Sequence, residues 1–107
     1  MAFARSQSGS SRFVGLDYEI AQEQASALGR LGRALEMALA ALTEHDRREQ
    51  KADTPRAKLV HDAGYALWCF MVQREACGLR DPRPVVRDYR VPRDVQNRMG
   101  IFGAMAQ

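Results

Sequence analysis

The sequence predicts an all-α fold: an antiparallel hairpin of two long helices, a short C-terminal helix, and pairing of two copies into a four-helix arrangement. Three observations carry this. Apolar residues recur at three-and-four spacing from Ala21 to Leu42 and again from Leu59 to Cys77. A proline-containing break, "KADTPRAK", separates the two runs. In the most apolar stretch, "YALWCFMVQREACGLRD", the apolar residues do not alternate as those of a half-buried strand do. The 107 residues form one unit by length, divided into an N-terminal arm (1–12), the hairpin (13–78) and an Arg/Pro-containing segment (79–107).

The arm, "MAFARSQSGSSR", is polar, serine-rich and without periodicity, and is expected to be disordered. It has no apolar core of a secretory signal. Helix 1 is expected over 17–50. Asp17 is its candidate N-cap, Glu19 and Glu23 suit the positive end of the dipole, and Arg47 and Arg48 the negative end. Leu28, Leu31, Leu35, Ala38 and Leu42 form its apolar stripe. Beside it run Ala21, Ala25, Gly29 and Gly32. Each helical glycine costs about 1 kcal/mol relative to alanine, so this row predicts close approach of another backbone.

Helix 2 is expected from a cap at Asp53 or Thr54, with Pro55 in its first turn, to about Cys77. Gly78 then supplies a left-handed residue after the helix, followed by apolar Leu79. This helix carries two stripes, Leu59, Ala63, Leu67, Phe70 and Cys77 on one side, and His61, Tyr65, Trp68 and Val72 nearly opposite. Helix 1 can cover only the first. Burying a large apolar side chain contributes about 1.5–3 kcal/mol, so the second stripe must be covered by the C-terminal segment or by a second copy. Tyr65, Trp68 and Val72 are therefore the expected homodimer interface. At the break after Gly78, Asp81-Pro82-Arg83-Pro84 reads as extended, Val85–Arg90 as a turn or short helix, and Pro92–Met99 as a two-turn helix stopped by Gly100. Val86, Tyr89, Val95 and Met99 are its inward anchors.

Net charge is +3, unevenly placed. Residues 17–50 carry seven acids and four bases, whereas 79–107 carry six arginines and three aspartates. Arg83, Arg87, Arg90, Arg93 and Arg98 are thus candidate anion contacts. "VVRDYRVPRDVQNRMG" loosely resembles a helix-turn-helix, but Arg90 stands at the turn glycine and Val95 is one position early. The interleaved aspartates favour ion pairs with the protein's own residues, in particular a tail wrapping the hairpin with its arginines on the acids of helix 1. Nucleic-acid regulation is the alternative function.

Evidence for catalysis is thin. Cys69 lies in an apolar run and Cys77 at a helix C-terminus, neither of which favours a thiolate. Eight residues apart on one helix, they are separated by about 12 Å, too far for a disulfide, which points to reduced thiols and a cytoplasmic protein. "GRLGR" lies mid-helix and follows no strand, so it is not a phosphate loop. His45 and His61 could face each other across the hairpin and, with Glu44, Asp46 or Asp62, hold a divalent metal; hydrogen bonding near the hairpin end is the plainer reading. The sequence therefore predicts no catalytic residue and no cofactor. The longest apolar run, Ala63–Val72, is far below the ~20 residues a membrane helix needs.

Taken together, "LDYEIAQEQASALGRLGRALE", "YALWCFMVQREACGLRD" and "VVRDYRVPRDVQNRMG" resemble a family of small alphaproteobacterial proteins classed as a domain of unknown function, over about residues 13–102. The resemblance implies a bacterial cytoplasmic protein and brings no activity, cofactor or catalytic residue.

Overall fold

The computed structural model describes residues 2–48 and 53–106, with side chains described from Gly15 onward. Four helices follow in order: α1 (Ala2–Arg47), α2 (Arg56–Ala76), α3 (Arg83–Asp88) and α4 (Arg93–Ala106). The described residues contain no strand.

α2 is the centre. It packs against α1 on one side and α4 on the other. Gly32 of α1 lies beside Phe70 of α2 while Asp46 lies beside Arg56, so α1 and α2 run antiparallel. Asp94 meets Arg56, and Phe102 meets Trp68, so α4 runs alongside α2 in the same direction. The core is one cluster of Leu35, Leu39 and Leu42 from α1, Ala63, Leu67 and Phe70 from α2, Val85 from α3, Val91 from the turn and Val95 from α4. This answers the two-stripe pattern of α2: α1 covers one stripe, and the C-terminal segment docks on much of the other.

The anchors expected in that segment are found in place. Val95 is fully buried, while Val86, Tyr89 and Met99 pack against the core. The arginine pairing expected with the acids of helix 1, among them Glu19, Glu23 or Glu36, is not what forms. Arg83 pairs with Asp81, Arg87 with Asp88, and Arg98 binds His61. The link to α1 is made the other way round, through Arg56, whose guanidinium bonds Asp46 (2.8 and 3.1 Å) and Asp94 (2.7 Å) and so joins the ends of α1, α2 and α4.

Helix ends show where local chemistry decides and where it yields. Gly78 has φ of +86°, its N–H bonds the Glu75 carbonyl, and the Leu79 N–H reaches the Arg74 carbonyl at 2.8 Å. That is the double-bonded C-terminal cap expected from the sequence. At the start of α2, Pro55 is the extended residue before the helix rather than a member of its first turn. α3 begins at Arg83 although Pro84 follows it, because a proline in the first turn gives up an N–H that has no helical partner there. The sequence-derived extension over 81–84 is corrected to that extent. α4 passes through Gly100 and Gly103 to Ala106: the penalty of about 1 kcal/mol for each helical glycine is offset by docking Phe102 against α2. α1 starts at Ala2 rather than Asp17, so its backbone takes in residues 2–12 of the stretch read as a disordered arm. Adding residues to an existing helix is far easier than nucleating one. The expected end of helix 1 at Gln50 lies outside the described residues.

Candidate interaction surface

Gly64 sets the α2–α4 approach. A methyl group there would sit 2.9 Å from the Arg98 Cβ and 3.2 Å from the Met99 backbone nitrogen, so only glycine lets α4 lie this close. Sequence reading missed it, because Gly64 stands alone inside a strongly apolar run; the residue types on either side gave no sign. At Gly32 the close approach is made by side chains, the Tyr89 hydroxyl and the Phe70 ring, and not by the backbone that the row was expected to admit. Gly29 meets only the flexible end of Arg33, so the small-residue row serves close packing at one of its two glycines.

With α4 this close, Phe102 inserts among the residues of the second α2 stripe. Its ring centroid lies 5.0 Å from His61, 5.3 Å from Tyr65 and 6.3 Å from Trp68. Gly103 lies against the Trp68 indole nitrogen. Coverage is partial. Tyr65 stays 50% exposed and Val72 47%, and Ile101 and Met105 on α4 are exposed at 45% and 77%. The result is an aromatic–aliphatic surface along α2 and α4 with Trp68 half-buried in its floor. The Cys69 thiol one turn from Tyr65 pushes its phenol above the ordinary value.

The two histidines do not converge. His61 points to α4, where its Nδ1 accepts hydrogen bonds from Arg98 Nε (3.1 Å) and Nη2 (2.8 Å). His45 is buried at the hairpin end beside Asp46, 3.5 Å away. Among the described residues no group of three His, Cys, Asp or Glu side chains is placed to hold a metal ion. Cys69 and Cys77 are free and half-buried, with Cys77 Sγ accepting from Gln73 at 3.8 Å.

A shallow groove of about 580 Å³ lies between α1 and the α3–α4 turn, lined by Glu36, Leu39, Ala40, Thr43, Asp88 and Tyr89. Burial, and then Glu36, pushes the Tyr89 phenol up. It holds no pairing of nucleophile and base.

The tail arginines are dispersed rather than gathered on one face. Arg83 and Arg87 bond neighbouring aspartates, and Arg98 is turned inward to His61. Arg93 and Arg90 remain on the surface. Arg90 adopts φ of +52°, the left-handed conformation usually given to glycine, and the Val91 N–H caps α3 on the Val86 carbonyl at 3.0 Å. Arg90 thus takes the left-handed conformation that a turn glycine would take at this position.

No described helix is long and apolar enough to cross a membrane. Across residues 1–107 the chain matches the model described as "Family of unknown function (DUF6665)". It belongs to that family. Neither a curated protein nor a solved structure matches it. Family membership therefore carries no activity to this surface, and the functional reading rests on geometry.

Proposed function

We propose that the protein is a non-enzymatic interaction or scaffold protein of the bacterial cytoplasm, whose unit is a homodimer joined through Tyr65, Trp68 and Val72. The observation that carries this reading is the half-open aromatic floor of α2: docking α4 leaves Tyr65 and Val72 each about half exposed, and Ile101 and Met105 of α4 are exposed as well. A contiguous apolar surface rimmed by polar residues is characteristic of an association site. Two copies meeting there bring α2 and α4 of each chain into a four-helix layer. The free thiols agree with a reducing compartment.

Size-exclusion chromatography with light scattering tests it. The wild-type chain elutes at twice the 12.0 kDa chain mass or more, and Val72→Arg lowers that mass while leaving the helical circular-dichroism signal in place. A wild-type monomer at micromolar concentration contradicts the reading. The alternative, nucleic-acid binding by the tail, has weaker support, since Arg83, Arg87 and Arg98 are already engaged by Asp81, Asp88 and His61. Mobility shifts over a salt series separate the two, because phosphate contacts make affinity fall steeply with salt; no shift at low salt removes the alternative.

A further inference from the structure

α1 carries a second, self-complementary face. Leu16, Ile20, Ala27, Ala34 and Met37 fall on a line with alternating four- and three-residue steps once Glu23 and Arg30 are included, the spacing of a coiled-coil seam. This line is not the one that meets α2. Ala34 stands about 100° around the helix from fully buried Leu35. Leu16 is 53% exposed, Ile20 49% and Met37 73%. The Glu23 and Arg30 side chains in its middle are 77% and 60% exposed, with their charged atoms 3.8 Å apart.

Beyond the end of α2, this helix also lacks support. From Gly15 to Ile20 every residue is exposed, and the molecule is 74 Å long but only 26 and 22 Å in its other extents. An isolated helical extension of this composition is marginal in water.

We infer that this face pairs with the same face of a second copy, antiparallel, about a two-fold axis at Ala27. A two-fold interface requires the surface to complement itself, and this sequence does so in one register. Rotation about Ala27 sets Glu23 beside Arg30 of the second copy, Ile20 beside its Ala34, and Leu16 beside its Met37. Acid meets base, large residues meet small or flexible ones, and Ala27 at the axis lets the backbones approach. The projecting part of each α1 then rests on the part of the other that α2 supports. A parallel pair would instead stack Glu23 on Glu23 and Arg30 on Arg30. This surface lies on a different helix from the α2–α4 surface proposed above, and two such surfaces on one chain join more than two copies.

Cysteine cross-linking of the full chain tests the pairing. Under mild oxidation Ala27→Cys gives a covalent dimer well above the level set by native Cys69 and Cys77. Met37→Cys alone, though more exposed, does not, but it cross-links to Leu16→Cys when the two variants are mixed. Cross-linking of Met37→Cys to itself as strongly as Ala27→Cys, or no gain over wild type for either, overturns the inference. Charge reversal gives an independent reading by light scattering. Glu23→Arg and Arg30→Glu each weaken association about tenfold or more, and the double reversal restores it; equal loss in the double variant overturns the register. Val72→Arg leaves the Ala27→Cys cross-link intact, so failure of the α2–α4 surface and failure of this one are told apart.

Discussion

α2 and the first half of α1 are both helical, yet they are held in opposite ways. Over its 21 residues α2 is enclosed on two sides by its own chain, with Ala63, Gly64, Leu67 and Phe70 buried. α1 between Gly15 and Ser26 has no buried residue. α2 has weak amphipathicity because both its faces are used. α1 has a strong leucine stripe from Leu28 to Leu42, and its remaining faces are left to solvent or to another chain. The contrast teaches that a poorly amphipathic helix in a small protein marks the middle of the fold, whereas a helix that outruns its partner marks where association begins.

Substitutions in the enclosed region should have the largest effects. Leu67→Ala removes a fully buried side chain at the centre of the layer and should cost about 2–5 kcal/mol, read as a lower urea midpoint. The equally drastic Leu16→Ala in the projecting part should cost the folded monomer little; comparable losses would break the comparison. Gly64→Ala drives a methyl group into the backbone of α4 and should cost about 1–3 kcal/mol, with increased exchange over 93–106. Gly29→Ala, which meets only the movable end of Arg33, should instead stabilise by up to about 1 kcal/mol. The two alanine substitutions thus have opposite signs, and a common sign would contradict the packing assigned to them. Arg90→Gly relieves the left-handed strain at φ +52° and should stabilise by about 0.5–1 kcal/mol.

The smallest effect is electrostatic. Arg56 lowers the Asp46 carboxyl, and Arg83 holds Asp81 down to about 2. Both folded-state values lie below the unfolded one, so their contribution is complete above the ordinary carboxylate value of about 4. It declines as pH falls from there toward 2. Both groups are exposed, so acid titration of the thermal midpoint should show a shallow loss in that window, and Arg56→Gln should flatten it further.

Much of this architecture was legible because it depends on local chemistry. The two-stripe pattern of α2 predicted a second cover, and Gly78 predicted the cap that forms. Val95 and Met99 were recognisable as anchors because they are apolar residues amid arginines. What was not legible depends on partners far away in sequence. Nothing near Gly100 tells that Phe102 will find His61, Tyr65 and Trp68 and pull the helix past it. Nothing near Gly64 tells that Arg98 and Met99 arrive there. Arg90 defied its residue type because Val91 is buried and the Val91–Val86 bond fixes the turn. In α1 the strong leucine stripe masked the weaker alanine-containing line beside it. His45 and His61 could face each other when only the hairpin is considered, with hydrogen bonding the plainer reading; the partner His61 finds, Arg98, comes from α4.

Hydrogen exchange followed at high and low protein concentration measures both regions at once. The account predicts that amides of 56–76 are the most protected and keep most of that protection on dilution, since α1 and α4 of the same chain still pack against them when the Tyr65–Val72 surface is uncovered. Those of 15–27 should be protected at high concentration and should lose that protection on dilution, as the second copy leaves. Exchange over 56–76 as fast as over 15–27, or exchange over 15–27 that is the same at both concentrations, would contradict it.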